Sequence, residues 1–142
     1  MSYSIAFSQS IIAVLYVADK VQQGIYDFVP TQELSDSLNI AKPSAVKILQ
    51  NLNRAGIIET REGARGGVRL AMFPVEITIL DIFNAIEHNR PLFRHDLNLG
   101  ITGEKPESGQ QAVSELLISA EEAMKADLRE TTIADLLNKI NK

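Results

Sequence analysis

The 142-residue chain has no cysteine and no tryptophan, only two histidines, and an aromatic content of 6%. Without cysteine, neither a disulfide nor a thiolate-ligated metal site can form. The longest apolar run, Ile11 to Ala18, spans eight residues, against the ~20 that cross a bilayer as a helix. The N-terminus lacks the basic start and small-residue cleavage site of a secretory signal, so a cytoplasmic location is expected. Catalytic patterns are missing as well. No Ser–His–Asp arrangement or paired-carboxylate site stands out. The glycine-rich stretch near residue 65 has no following Lys-Ser/Thr and opens no helix, so it is not a nucleotide loop. His88 and His95 stand seven apart with Asp96 beside the second, and two histidines without further ligands rarely complete a metal site. No enzyme is expected and no catalytic or metal-binding residue is assigned, while a sensory role for the two histidines stays open.

What is present is an ordinary folded composition, 45% hydrophobic and 23% charged, at a length that supports one domain or a small domain with a dimerisation appendage. The formal net charge of −4 is unevenly spread. Residues 1–41 carry −3 and residues 76–142 carry −5, whereas 42–75 carry +4 from Lys42, Lys47, Arg54, Arg61, Arg65 and Arg69 against Glu59 and Glu62. Affinity for phosphate follows the local cluster rather than the total.

That basic stretch has a recognisable organisation. Residues 5–22 read as a helix, with Ile11, Ile12, Leu15 and Ala18 on one face, and residues 23–30 as a connector. Thr31 is the expected N-cap of a second helix carrying Leu34 and Leu38, closed by Asn39. Pro43 is expected to open a third helix that runs to about Ala55 and stops at Gly56. Its buried stripe is Ala45, Ile48, Leu49 and Leu52, and its opposite face is Ser44, Lys47, Gln50, Asn51 and Arg54, with donors at nearly every position and no carboxylate. Residues 57–72, IIETREGARGGVRLAM, place β-branched and apolar runs around Gly63, Gly66 and Gly67, which reads as a two-stranded hairpin with a cationic tip. Two short helices followed by a basic hairpin are the order of a winged helix.

Downstream, Thr78 and Asp81 form an expected capping box. Residues 88–109 read as a loop. Ser108 and Gln111 read as a second capping box, opening a long helix to about Arg129. Val113, Leu116, Leu117, Ala120, Met124 and Leu128 make a stripe on it too wide to be left without a partner. Thr132 and Asp135 start a last short helix. The expected fold is mainly α with a small β-hairpin: a winged helix–turn–helix DNA-binding domain over 1–88, a loop at 89–109, and a dimerisation helix with a C-terminal helix over 110–142.

The stretch KPSAVKILQNLNRAGIIETREGARGGVRLA, followed by PVEITILDIFNAIE, resembles the Rrf-two family of bacterial winged-helix transcription regulators, relatives of IscR, NsrR and CymR. The shared pattern is AG(I/L)(I/V), then G-x-x-GG-x-x-L, then P-x-x-IT(I/L)-x-DI, and the likeness runs end to end. Many members hold an iron–sulfur cluster on three cysteines in the loop before the long helix. With no cysteine, this chain resembles the cysteine-free subgroup, and no cofactor is expected. It also departs from the family at Val46, where some members carry an acidic residue, and at Glu62, where arginine is frequent.

In a helix–turn–helix the second helix enters the major groove N-terminus first. Ser44 and Lys47 are therefore expected at base edges, and Gln50, Asn51 and Arg54 at phosphates. Arg61 and Arg65 suit the minor groove, with Gly66 and Gly67 letting the wing backbone approach. The resemblance implies a homodimer whose long helices cross between protomers and which reads a pseudo-palindromic operator. The resulting expectation is a sequence-specific regulator, a repressor, controlled by a small-molecule or protein effector rather than a cysteine-ligated cluster. The alternative is a winged-helix protein-interaction module that has lost DNA binding.

Overall fold

Helix α1 (Ala6–Gln22) is the element against which the others are assembled. In a computed structural model, which describes residues 5–88 and 90–141, it packs against α3 (Lys42–Arg54), α4 (Ile79–Glu87), α6 (Ile133–Ile140) and strand β2 (Gly67–Leu70). Its buried face carries Val14 and Val17, each 1% exposed. The only polar group on that face, the fully buried Ser10 hydroxyl, donates to the Ala6 carbonyl one turn back, which satisfies it without a partner from another element. Leu34 from α2 (Thr31–Leu38), Leu52 from α3, Ile57, Val68, Ile82 and Ile133 complete one continuous core.

Helices α2 and α3 form the expected helix–turn–helix. Asn39 closes α2 in the left-handed conformation (φ 52°), and the buried Ser35 hydroxyl donates to the Ile40 carbonyl at 2.6 Å, fixing the turn from within. The first residues of both helices are shifted. Pro30, extended at φ −61° and ψ 142°, occupies the cap position of α2, so Thr31 is its first helical residue and makes no cap bond. The cause lies one residue earlier, where Val29 is held extended by pairing with Val68. Lys42 precedes Pro43 in the first turn of α3. Gly56 follows α3 at φ 79° and turns the chain into the hairpin.

Strands β1 (Ile58–Arg61) and β2 pair antiparallel, Ile58 opposite Leu70 and Arg61 opposite Gly67. After a 3₁₀ turn at Pro74–Glu76, the expected Thr78–Asp81 capping box closes, and a further one forms where Thr132 and Asp135 start the last helix. The Asp81 amide donates to Thr78 Oγ1 and the Thr78 amide to Asp81 Oδ2, and Thr132 and Asp135 repeat the arrangement. These two N-termini are stitched together: the Ile79 amide donates to the Thr131 carbonyl and the Ile133 amide to the Ile77 carbonyl, both at 2.9 Å.

The long helix α5 (Glu104–Arg129) begins four residues before Ser108. Ser108 and Gln111 therefore lie inside it, and the capping box expected there does not form. Gly103, at φ 125°, makes the sharp bend into the helix. Pro106 falls in the first turn, where its missing N–H removes no intrahelical bond. Glu104 and Glu107 in that turn favour the positive end of the helix dipole. At 26 residues and 1.5 Å per residue, α5 is about 39 Å long. The connecting loop runs antiparallel along it: the Leu92 amide donates to Glu121, His95 Nδ1 meets Ser114 Oγ at 2.9 Å, and Gln110 Nε2 donates to the Leu97 carbonyl. Asn89, where the loop was expected to begin, lies outside the described residues.

Candidate nucleic-acid interface

The interface grows from α3. Ala45, Ile48, Leu49 and Leu52 are all buried, so the remaining face is fixed outward. Ser44, Lys47, Gln50 and Arg54 are exposed and Asn51 is half-buried, with Arg54 Nη1 donating to Asn51 Oδ1 at 3.4 Å. The helix thus offers the donor face read from its sequence. One residue on it is of another kind: Val46, 37% exposed, joins Gln50, Asn53, Thr60 and Arg61 around a cleft of about 250 Å³ between α3 and the wing.

The wing arginines divide into two groups. Arg65 is exposed at the tip, and its guanidinium makes no hydrogen bond, ion pair or ring contact among the described residues. Arg61 and Arg69 instead fasten the wing to the connector between α1 and α2. Both guanidiniums lie over the Phe28 ring, at 4.2 and 4.4 Å from its centre. Arg69 donates through Nε to Glu59 at 2.5 Å and through Nη1 to Asp27 at 3.2 Å. Arg61 pairs with Asp27 at 3.6 Å and donates to the Arg65 carbonyl. The hydrogen bond from Arg69 to Glu59, reinforced by both carboxylates, holds the Arg69 guanidinium above its ordinary pKa. Stacking of cations on aromatic faces is attractive in its own right.

The two glycines have structural duties. A Cβ on Gly66 would collide with the Arg61 carbonyl, and one on Gly67 (φ 148°) with the Val29 carbonyl. The sequence reading missed Asp27 and Phe28, which anchor the wing from 30 or more positions away. The only local hint was an aromatic residue beside an acid in a connector.

Helix α1 positions α2 through Tyr16, whose hydroxyl donates to Glu33 Oε1 at 2.8 Å and lies 3.2 Å from Ser37 Oγ. Burial pushes the phenol above its ordinary pKa, the Ser37 bond opposes this, and the neighbouring Glu33 carboxylate adds to it. At the other end of the molecule, none of the stripe residues of α5 is buried within the chain. Val113 and Leu116 are 41% and 67% exposed, Ala120 is exposed, and Leu117 and Met124 are half-buried. Leu128 packs against the chain's own core.

The cofactor loop of the cysteine-containing pattern has no matching donors here. His88 caps α4 in the left-handed conformation, His95 is engaged with Ser114, and Asp96 pairs with Arg94 at 3.0 Å. Among the described residues no three His, Cys, Asp or Glu side chains come together to hold a metal ion. The residues present do not fit a thiolate-ligated cluster.

A helix–turn–helix followed by a two-stranded wing, with a donor-rich second helix and a cationic wing tip, defines a winged-helix protein of the transcription-regulator class. Residues 3–139 match the Rrf2 family, described as iron-dependent transcriptional regulators, and the chain belongs to that family. It is 31% identical over 109 residues to Rv1287 of Mycobacterium tuberculosis, described as an HTH-type transcriptional regulator, covering 76% of this chain and 65% of that protein. It is 34% identical over 70 residues to the HTH-type transcriptional regulator NsrR of Halalkalibacterium halodurans, covering 47% and 48%. The chain thus spans about half to two thirds of the length of these curated relatives. Its fold is that of CymR of B. subtilis (TM-score 0.69, 22% identity, 98% of each chain) and of a transcriptional regulator from Lactobacillus plantarum (TM-score 0.77, 20% identity, 96% and 90%). Members of the family are regulators and not enzymes. No helix among the described residues is long and apolar enough to cross a membrane.

Proposed function

We propose that this chain is a homodimeric, sequence-specific DNA-binding repressor that works in the cytoplasm without a cysteine-ligated cluster. The supporting observation is the carboxylate-free outer face of α3 set beside the unengaged Arg65 of the wing. In this reading residues 1–88 form the DNA-binding unit, with Ser44 and Lys47 at base edges, Gln50, Asn51 and Arg54 at phosphates, and Arg65 in the minor groove. Arg61, Gly66 and Gly67 serve the wing's shape as much as its contact. The loop at 89–109 is the effector-responsive segment. The exposed stripe of the 110–142 segment pairs with that of a second copy, placing two recognition helices on a pseudo-palindromic operator with the acidic half turned away from DNA.

The test is recovery and sequencing of genomic DNA fragments bound by the purified protein, followed by titration of the enriched duplex at several salt concentrations. Enrichment of a two-fold-related site with a steep salt dependence supports the reading. Failure to enrich any site overturns it in favour of a protein-interaction module.

A further inference from the structure

Away from the DNA-facing surface, a cleft of about 630 Å³ lies between the C-terminal end of α1, the chain leaving β2, and α6. Its walls are apolar, with Val21 from α1, Leu70, Met72, Phe73 and Val75 from the chain after the wing, and Leu137 from α6. Phe73 and Val75 are 74% and 67% exposed, so large apolar side chains meet water around a concave surface. Three amide side chains, Gln22, Asn138 and Asn141, also line it, and none has a hydrogen-bond partner among the described residues.

The chemistry of the lining selects the occupant. Its volume falls in the range of about 300–1,000 Å³ typical of small-molecule sites, which combine apolar walls with a few polar groups. A protein partner instead needs about 800 Å² of surface on each side, and the stripe proposed above for self-association lies elsewhere, on α5. The only formal charge in the lining is Arg69, and it is held by Glu59 and Asp27. A ligand carboxylate would have to compete with these two, so the site favours an uncharged molecule whose polar end meets the free amides.

We propose that this cleft binds a small uncharged amphipathic molecule, an apolar body bearing a carbonyl or hydroxyl end, and that the wing reports its occupancy. Arg69 lines the cleft and is also the residue that fastens β2 to Phe28, Asp27 and Glu59. Leu70 ends the same strand and Met72 follows it, both in the cleft wall. A ligand pressing on this segment acts on the base of the hairpin that carries Arg65. The regulatory half rests on the DNA-binding reading, whereas the binding half does not.

The probe is 6-propionyl-2-(dimethylamino)naphthalene, an uncharged fluorescent ketone, titrated into the full chain. Blue-shifted, saturable emission at one site per chain is expected. Ala134→Phe, which fills the cleft from α6, and Asn138→Asp, at an exposed position, each weaken binding about tenfold or more, with the thermal midpoint monitored for each. Ile12→Ser, at an exposed position of α1 outside the cleft lining, leaves binding unchanged. Equal affinity in wild type and both cleft variants, absence of saturable binding, or loss on Ile12→Ser overturns the site. On the duplex enriched above, saturating probe is expected to change wild-type affinity about fivefold or more and to leave the Ala134→Phe protein unaffected. DNA binding indifferent to bound probe overturns the regulatory half. Probe bound at the cleft by a protein that binds no DNA overturns the DNA reading and the regulatory half together, leaving the site intact.

Discussion

Val29 and Val68 exchange two backbone hydrogen bonds, the Val29 amide to the Val68 carbonyl at 2.7 Å and the Val68 amide to the Val29 carbonyl at 2.9 Å. This pair makes the connector before the helix–turn–helix a third, one-residue strand on the wing, and both side chains are buried. The wing is thereby braced against the segment that leads into α2 and α3. Gly67, next to Val68, leaves no room for a Cβ beside the Val29 carbonyl.

Gly67→Ala is therefore expected to be far more harmful than its size suggests. The new methyl would meet the Val29 carbonyl, and relief requires breaking the Val29–Val68 pairing at a cost of about 1–3 kcal/mol. Thermal unfolding checks this. Gly63→Ala is the comparison, because a methyl there meets nothing within 4 Å and only the positive φ is strained. Equal midpoints for the two variants contradict the account.

Arg65→Ala is expected to leave stability within about 0.5 kcal/mol of wild type, because its side chain is exposed and makes no hydrogen bond, ion pair or ring contact among the described residues. It should weaken binding to the enriched duplex and reduce the salt slope by about one. Arg69→Ala should do the reverse, lowering the unfolding midpoint because it frees Glu59 and Asp27 and uncovers Phe28. Unchanged affinity and slope for Arg65→Ala would remove the wing from the interface.

Leu116→Glu is expected to shift the protein from dimer to monomer in sedimentation velocity. The residue is 67% exposed within one chain, so the substitution costs that chain little, whereas a carboxylate buried between two helices costs much more. A dimer of unchanged strength would put the self-association surface elsewhere.

Tyr16 gives the protein an alkaline limit. Its phenol titrates above the ordinary tyrosine value, first because burial disfavours the phenolate and then because of Glu33. A raised folded-state pKa means the stabilisation is complete below the unfolded value of about 10 and is lost as pH rises through the folded value. Tyr16→Phe should lose about 1 kcal/mol at neutral pH, the worth of one hydrogen bond, and show a flatter decline of the midpoint above pH ~10. Parallel declines in the two proteins would place the alkaline limit elsewhere.

Local structure was legible in the sequence: helix periodicity, the Thr78 capping box, the helix start at Thr132, the left-handed Asn39, the apolar stripe of α3 and the hairpin. Each depends on residues within about one turn or one strand of each other, and such short-range chemistry is written contiguously. It misled where one local signal contradicted another. Pro106 and Gly109 read as loop, yet they sit in and near the first turn of α5, where neither removes an intrahelical bond. Which wing arginine is free follows from packing between distant segments. Arg61, Arg65 and Arg69 are chemically identical, and what separates them is Phe28 with Asp27, brought beneath the wing by the Val29–Val68 pairing. The same holds for Gly67, whose necessity comes from a carbonyl 38 positions away, and for the cleft at Phe73, whose walls come from three distant segments. Contacts between remote segments depend on how the helices pack, and no spacing in the chain encodes them.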